Sequence, residues 1–512
     1  MKSSTKSRDL ETDDFAHQES APGFVVGEGP PPSDTVSTRA ELSPATGASD
    51  NTSMNSGAHA SREKRSSEKR SPESPSPERP SPERLSPEKS SPKKPSREKP
   101  SALDLFCQKV VLNSLTGMRR GSLDLKLPDG TSASNGSVET SCTAHIEINS
   151  YDFFKRCVKY GAIGFAEGYI DGEWTTTDLT DVIRWFILNL NDSTVMEGSK
   201  NRNPMLDLFN FVNRLGHLSR PNSKKISKSN IEAHYDLSNE FFSLFLDKSM
   251  TYSSAIFTRA DEDLFEAQQN KYKRICESLM LNESDHLLEI GCGWGGLAVY
   301  AARNYGCKIT GITISPSQFE YATKRIKNEG LENQVQILLT DYRDLTGHFD
   351  KIASIEMVEA LGDKYVETYF KKCAQLLKHD GLMTFQLIVS PDSRYDLLRG
   401  SVDFIQKHIF PGSLLLSTER VIRATSKVSD LHMVEFNEFA ESYAHTLRLW
   451  RDNFEQRLNE VRALGFSEKF IRKWIYYLCY CEAAFDMRQI SVAQITISRP
   501  NNQFVRQSKR LG

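Results

Sequence analysis

The chain has 512 residues, 38% of them hydrophobic, and a formal net charge of -2. This length suits two or three domains of about 100–200 residues each. The near-zero charge of the whole chain indicates no particular partner, and we expect no nucleic acid among its partners. No run approaches about 18 consecutive apolar residues, so we expect no membrane-spanning helix, and the polar start predicts no signal peptide. Nine irregularly spaced cysteines favour reduced intracellular thiols, and 11 scattered histidines predict no metal site.

Residues 1–100 form a polar segment rich in Ser, Pro and charged side chains. From Ser71 a five-residue unit repeats as SPESP, SPERP, SPERL, SPEKS and SPKKP. Such a composition buries too little apolar surface to offset its ordering entropy, so we predict a disordered tail. Residues 61–100 carry 12 Lys and Arg against 7 Glu. This excess leaves two interpretations open, a weak attraction to anionic lipid or a solvated spacer.

The segment 101–190 has the pattern of a small α+β domain. Its first part, LDLFCQKVVLNSL (103–115), has helical apolar spacing, and GSLDLKLPDG (121–130) alternates like a strand before a Pro-Asp-Gly turn. AHIEINS is a second alternating strand, and the sequence from Tyr151 opens as a helix. The polar residues 191–230 predict a linker.

From 231 to 500, strand and helix patterns alternate. HLLEI, KITGITI, VQILLTD, FDKIASIE and GLMTFQLIV are apolar runs of strand length. GGLAVYAARNYG and SPSQFEYATKRIKNEG are helical, the second capped by Ser315. The alternation predicts an α/β fold with a mainly parallel sheet covered on both faces. Residues 390–488 are mostly helical and aromatic-rich, and 501–512 form a C-terminal tail.

The stretch HLLEIGCGWGG (286–296) is a buried strand that runs into a glycine-rich turn. In a dinucleotide fold, an acidic residue about 20 positions on would bind the ribose, but the equivalent place near Thr313 has no carboxylate. Gly291 and Gly293, preceded by Glu289, suit a cationic ligand without a phosphate, such as S-adenosylmethionine. Asp341, after the third strand, is placed to reach an adenine amino group. Together these features favour a methyl donor over a dinucleotide.

Several motifs, in order, resemble the cyclopropane-fatty-acyl-phospholipid synthases and their mycolic acid relatives. They are HYDLSNEFFSLFLDKSMTYSSAIF, LLEIGCGWGGLAVYAA, GITISPSQFEYA, DYRDLTGHFDKIASIEMVEALG and CEAAFDMRQISVAQI. The resemblance covers about 100–498 and implies a Rossmann-like class I S-adenosylmethionine-dependent methyltransferase domain at 231–500. Residues 103–190 resemble the family's small lipid-binding domain. Ser238 departs from the family, which usually has glycine there, and His234 is expected to be structural.

The resemblance implies transfer of a methyl group from S-adenosylmethionine to the double bond of an unsaturated acyl chain in a membrane phospholipid. Attack by the alkene creates a carbocation, a base removes a proton, and a cyclopropane ring closes. The site should be dry and aromatic, because water would quench the cation. Because the implied substrate is a membrane phospholipid, we expect a cytoplasmic enzyme that is peripherally associated with the inner face of a membrane. A homodimer is one assembly that it could form.

The same resemblance places the methyl donor against a set of residues at the strand ends. These are Tyr252, Ser253, Gly291, Gly293, Thr313, Ser315, Gln318, Asp341 and Tyr342, to which the turn argument adds Glu289. Ser315 and Asp341 each have a second interpretation as helix-capping residues.

The family's base is a bicarbonate held by Cys, Glu, His and Tyr side chains and one backbone group. Glu359, Tyr443 and Ile388 match these positions, whereas Ser254 replaces the cysteine and Gln386 the histidine. Serine and glutamine can still hydrogen-bond an anion, but glutamine cannot ionise. We therefore hypothesise a divergent branch whose product could be a methylene or methyl-branched chain instead of a ring.

Cys481 matches a family cysteine near the C-terminus. Methyl transfer to an alkene needs no covalent step, which favours a packed residue lining the acyl channel over a nucleophile.

Residues 393–416 have two interpretations. Arg394, Arg399 and Lys407 could meet lipid phosphates while apolar side chains enter the acyl layer (Phe404, Ile405, Ile409 and Phe410). Alternatively, the segment covers the acyl pocket. Two other functions also stay open, a methyltransferase for a soluble small molecule and a catalytically silent lipid-binding protein.

Overall fold

The computed structural model describes residues 99–136, 142–192, 237–503 and 505. Nearly all of the predicted tail, most of the predicted linker, His234 and the last seven residues lie outside these ranges. The described residues belong to one structural unit, 89–512. The proposed boundaries between the small domain, the linker and the methyltransferase domain stay predictions.

A small four-stranded sheet follows the first helix, α1 (Ala102–Leu115). Its strands are β1 (Ser122–Lys126), β2 (Ser132–Gly136), β3 (Thr143–Ile148) and β4 (Trp174–Thr175), in the order β2-β1-β3-β4. Helices α2 (Asp152–Asp171) and α3 (Leu179–Leu188) cover it. Alternate side chains of β1 and β3 are buried, as the period of a strand requires. The predicted helices and both predicted strands are confirmed, but β2 was not predicted because its SASNG sequence is polar.

The large sheet contains all five strands predicted between 286 and 390. They are β5 (His286–Ile290), β6 (Lys308–Thr313), β7 (Val335–Leu339), β8 (Phe349–Ile355) and β9 (Leu377–Ser390). The sheet is completed by β10 (Leu416–Ser417), β11 (His432–Glu438) and β12 (Ser491–Ser498), none of which was predicted. The order is β11-β12-β9-β8-β5-β6-β7, with β10 beside β9. Strands β5 to β9 are parallel, while β12 and β11 run antiparallel to their neighbours.

The helices of this part cover both faces of the sheet and form the aromatic C-terminal region. They are α4 (Asn239–Ser243), α5 (Leu264–Ser278), α6 (Gly296–Tyr305), α7 (Pro316–Asn328), α8 (Val366–Leu376), α9 (Tyr395–Gly400), α10 (Phe404–His408), α11 (Thr418–Val428), α12 (Ala440–Gln456), α13 (Leu458–Ala463) and α14 (Glu468–Asp486). Ser315 caps α7 as predicted, and Ser238 caps α4 by accepting from the Phe241 amide. The unusual Ser238 therefore fits its local turn. No helix within the described ranges is long and apolar enough to cross a bilayer.

The strand order creates a crevice at one edge of the large sheet. After β5 the chain moves outward to β6 and β7, then returns to β8 on the other side of β5. Ligands of open α/β sheets bind at such a reversal, outside the carboxyl ends of the strands. Gly291, Thr313, Asp341 and Glu356 all lie at or just beyond the carboxyl ends of their strands. The topology thus brings sequence-distant polar groups to one edge.

Helix α14 joins the small sheet to the large one. It packs against α12 and also against α2 and α3. The Arg472 guanidinium donates to the carbonyl oxygens of Tyr169 and Trp174. The buried Glu482 carboxylate pairs with Arg451 and Arg184. These contacts hold the small sheet against the helices of the C-terminal region, which pack on the large sheet.

Candidate active site

A cavity of about 660 Å³ extends from the glycine turn to the core of the small sheet. Nine of the ten residues predicted for the methyl donor line it, and only Ser315 does not. The opposite end is apolar and is lined by Leu123, Leu125, Ile146, Phe153, Phe154 and Phe165, among others. A polar chamber at the sheet edge is therefore continuous with a hydrophobic tunnel.

The glycine turn presents bare backbone to the cavity. Gly291 and Gly293 have φ of +84° and +51°, a region that glycine adopts readily and other residues rarely. A Cβ at Gly291 would lie 3.0 Å from Cγ of Met357, whereas one at Gly293 would meet no atom within 4 Å. The open space over Gly293 lets a ligand approach the backbone closely.

Glu289 supplies an unsatisfied carboxylate beside this turn. It is buried, and its Oε2 has no hydrogen-bond partner among the described residues. Burial raises the pKa of Glu289 to about 8, while the positive charge of Lys271 opposes the rise. A buried acceptor without a partner is costly, and the ammonium group of S-adenosylmethionine would satisfy it. The site therefore fits the predicted methyl donor.

Lys271 lies behind the predicted donor residue Ser253. Its ammonium donates to the Ser253 hydroxyl at 2.7 Å. Burial lowers the pKa of Lys271 to about 7, against the raising effect of Glu356, Asp247 and Glu289. This lysine was not predicted, because nothing in the sequence near 271 marks it as buried.

Thr313, Ser315 and Gln318 form one hydrogen-bond network after β6. The Thr313 hydroxyl donates to Oε1 of Gln318 at 2.9 Å and accepts from the Ser315 amide at 3.2 Å. The Ser315 hydroxyl accepts from the Gln318 amide at the start of α7. Of its two interpretations, the structure shows Ser315 as a cap that fixes the two residues lining the cavity.

Asp341 both caps a turn and lines the cavity. Its carboxylate accepts from the backbone N–H of Arg343 at 2.9 Å and from the guanidinium at 2.8 and 2.6 Å. Next to it, the Tyr342 hydroxyl is buried and has no partner within the described ranges. The predicted Tyr252 lies across the chamber, with its hydroxyl 2.9 Å from that of Tyr477.

The residues predicted to hold an anion do converge, and a carboxylate of the chain occupies their centre. Oε1 of Glu356 accepts from the Ser254 amide at 2.9 Å and from Nε2 of Gln386 at 2.7 Å. Oε2 accepts from the Tyr443 hydroxyl at 2.7 Å. Ser254 contributes its backbone only, since its hydroxyl donates to the Ala255 carbonyl oxygen.

Glu359 lies beside Glu356 and has a different environment. Its Oε1 accepts from the Ile388 amide at 2.5 Å, and its Oε2 has no partner among the described residues. Burial and the neighbouring Glu356 charge raise the pKa of Glu359 to about 8. Burial also raises the pKa of Glu356, but hydrogen bonds from Tyr443 and Gln386 counteract it. Glu356 accepts hydrogen bonds from three donors and Glu359 from one, which favours placing the negative charge of the pair on Glu356.

Tyr443, which donates to Glu356, belongs to a cluster of aromatic rings. Tyr443 stacks on Phe485 with ring centroids 4.2 Å apart, and Tyr252 lies 5.3 Å from Trp450. Cys481 also lines the cavity, and burial raises the pKa of its thiol. A thiol that keeps its proton is a poor nucleophile, which supports the packed interpretation of Cys481.

The segment 393–416 covers the cavity. Phe404 and Ile409 are buried, and Phe404, Ile405 and Phe410 line the cavity. Of the two interpretations of this segment, these contacts favour the one in which it covers the acyl pocket. The basic side chains have protein partners, with Arg394 donating to Gln489 and Asn191, Arg399 to Asp363 and Asp396, and Lys407 to Glu167.

Comparisons with known proteins agree with this geometry. Residues 222–495 match the family described as mycolic acid cyclopropane synthetase. The tuberculostearic acid methyltransferase of Mycobacterium tuberculosis is 37% identical over 363 residues, 67% of this chain and 81% of that protein. The cyclopropane-fatty-acyl-phospholipid synthase of Escherichia coli K12 is 38% identical over 368 residues, 71% and 90% of the two chains. A crystal structure of a mycolic acid cyclopropane synthase complexed with SAH and CTAB has a TM-score of 0.50 and 31% identity, covering 53% of this chain and 98% of that one.

Proposed function

The chain belongs to the mycolic acid cyclopropane synthetase family, and we propose that its cavity holds the methyl donor at the glycine turn and an acyl chain in the tunnel. The protein is an S-adenosylmethionine-dependent methyltransferase that transfers a methyl or methylene group to the double bond of an unsaturated fatty acyl chain. The observation that carries the residue assignment is the continuity of the polar chamber with the apolar tunnel.

At the donor end, the chain's groups hold and orient the sulfonium compound. Glu289 would pair with its ammonium group, and Gly291 and Gly293 would let it lie against the backbone. Asp341 would accept from the adenine amino group. Bound there, S-adenosylmethionine supplies an electrophilic methyl group. The remaining proposed contacts, from Tyr252, Ser253, Thr313, Gln318 and Tyr342, complete the chamber wall, with Ser315 in a supporting position.

In the middle of the cavity, the chain must protect a carbocation. The lining rings of Tyr252, Tyr443, Phe410 and Phe485 exclude water and offer π faces to a positive charge. The Glu356 charge lies among them. Such an arrangement stabilises positive charge on carbon without offering it water.

The membrane contact that a phospholipid substrate requires is proposed for α1. Leu103, Leu105 and Phe106 are 59%, 51% and 61% exposed, although they are large and apolar. Further along the same helix, Val110 and Val111 line the cavity. An acyl chain could therefore pass from a bilayer along α1 into the tunnel. The basic residues 61–100 directly precede this helix in sequence and would add attraction to anionic lipid.

The product could be a ring or a branched chain, and the difference is which proton the cation loses. An unsaturated branched product, which forms by loss of a proton and needs no reductant, is favoured by Gln386 in place of an ionisable histidine. A cyclopropane and an exocyclic methylene have the same mass, so proton NMR of the isolated acyl ester is needed to separate them. High-field ring protons would refute the branched product.

The test of the function uses the full chain, labelled S-adenosylmethionine and phospholipid vesicles. We expect label in the acyl chains of unsaturated vesicles and none in saturated vesicles of the same headgroup. If neither kind of vesicle is labelled but calorimetry shows that the protein still binds S-adenosylmethionine, the result would favour a soluble methyl acceptor. Loss of donor binding as well would favour the catalytically silent lipid-binding protein.

A further inference from the structure

We propose that the carboxylate of Glu356 is the base of this methyl transfer, built into the chain where the family resemblance implies a bicarbonate ion. The proposal rests on the proposed function, because it concerns the proton that the carbocation must lose. It makes Glu356 a catalytic residue and the enzyme independent of an external anion.

The groups expected to donate hydrogen bonds to a bicarbonate are already used. The Ser254 amide, the Gln386 side chain and the Tyr443 hydroxyl all donate to the Glu356 carboxylate within 2.9 Å. Three of the five residues predicted for the anion thus converge on one protein group. Bicarbonate does not fit this arrangement, since it would have to displace a buried charge from three donors.

The backbone of Glu356 has an unfavourable conformation that its surroundings maintain. Its φ of +48° lies in the left-handed region, which is costly for a residue with a side chain. The Glu356 amide donates to the Gln386 carbonyl oxygen at 2.8 Å, so both ends of the residue are held. Strained residues persist where surrounding contacts determine them, and they cluster at functional sites.

Glu356 also lies at the cavity surface and can accept one more hydrogen bond or a proton. Glu356 lines the cavity, and the next residue, Met357, packs against the glycine turn. A carboxylate has about four acceptor sites, and three are filled by the donors named above. One lone pair is therefore left for a proton from the substrate.

The step is a proton transfer that balances without a further reagent. The alkene π electrons form a bond to the methyl carbon, and the C–S electron pair stays on the departing sulfur. The cation then loses a proton to the free lone pair of Glu356. The released C–H electrons form the new C–C bond of a ring, or a C=C bond in a methylene product. Glu356 becomes a neutral acid and returns its proton to solvent after the product leaves.

The decisive variant is Glu356→Gly, assayed on unsaturated phospholipid vesicles in buffer freed of carbon dioxide. Glycine suits a φ of +48°, so we expect the variant to fold, which a thermal unfolding curve would check. We expect turnover to fall by about 10²–10⁴-fold, the usual contribution of a general base. Added bicarbonate or formate should restore part of it by entering the vacated space. Affinity for S-adenosylmethionine should change by less than about twofold.

Glu356→Gln is the matched control. Its amide fills the same space but cannot accept the proton, so we expect a similar loss and no rescue by either anion. The wild-type enzyme should be equally active with and without bicarbonate. If wild-type turnover requires bicarbonate, or if the Glu356→Gly enzyme is as active as wild type, the role of Glu356 as the base is overturned, but the proposed function is not. A wild-type enzyme inactive on unsaturated lipid under both conditions would instead contradict the proposed function.

Discussion

The donor end and the acyl end of the cavity differ in construction as well as in chemistry. Much of the donor end is made of short segments at the carboxyl ends of parallel strands, so neighbouring residues such as Gly291 and Gly293 act together, while Tyr252 and Ser253 come from the segment before α5. The acyl end takes single side chains from β1, β3, α1, α2 and α3, such as Leu125, Ile146 and Phe165. Binding at the donor end depends on the positions of backbone groups at the strand ends. Binding at the acyl end depends on the volume that apolar side chains leave open. Changes at the two ends should therefore affect different kinetic parameters.

The largest effect is expected at the glycine turn. In Gly291→Val, a side chain would meet Met357 and would occupy a φ of +84°, at a cost of about 1–3 kcal/mol. We expect affinity for S-adenosylmethionine to fall by about 10–100-fold, measured by calorimetry. Gly330→Val is the control, because Gly330 has a φ of +67° and does not line the cavity. Equal loss of affinity in both variants would contradict a specific role of the turn.

At the acyl end, a larger side chain should block the lipid without affecting the donor. Cys157 lines the tunnel, and Cys157→Phe would fill part of its volume. We expect kcat/KM for vesicle lipid to fall by about tenfold, because a displaced chain misplaces its double bond. Donor affinity should stay unchanged, and Cys157→Ser should behave like wild type. If Cys157→Phe also lowers the affinity for S-adenosylmethionine, the two ends of the cavity do not bind their ligands independently.

The pH dependence of donor binding tests Glu289. Because burial raises its pKa to about 8, the free enzyme carries a neutral Glu289 at lower pH and must release its proton to bind a cation. Affinity should therefore increase by about fivefold as the pH rises from about 7 to about 8. Glu289→Gln should bind more weakly at the upper pH and give a flatter profile. If the affinity of the variant depends on pH as strongly as that of the wild type, Glu289 does not contact the donor.

The smallest effect is expected at α1, outside the cavity. Phe106→Ser removes an exposed ring from the proposed membrane contact, and we expect vesicle binding to weaken by about threefold. Phe436→Ser is the control, since Phe436 is also an exposed phenylalanine but belongs to β11 and not to α1. Co-sedimentation with anionic and neutral vesicles measures both. The same loss in the control would mean that α1 is not a special contact.

The donor-site residues at the strand ends could be predicted from the sequence. Strands β5 to β9 are continuous apolar runs, and their order fixes where Gly291, Thr313 and Asp341 meet, so these residues could be found from local pattern. Strands β2 and β11 were missed because most of their side chains are exposed and polar or mixed.

Glu356 could not be found from local pattern. Its three donors, Ser254, Gln386 and Tyr443, lie 102, 30 and 87 residues away. The segment 393–416 is amphipathic, and sequence alone did not show that Lys407 pairs with Glu167 on α2. Such contacts depend on tertiary placement, which periodicity does not encode.

The most direct test of the account is a crystal structure of the full chain with S-adenosylhomocysteine and a long-chain alkyl detergent. The account predicts the nucleoside against Gly291 and Asp341, and the alkyl chain passing Glu356 toward Leu125 and Ile146. An alkyl chain bound outside the tunnel, or a nucleoside bound away from the glycine turn, would contradict the central claim that one cavity serves both substrates.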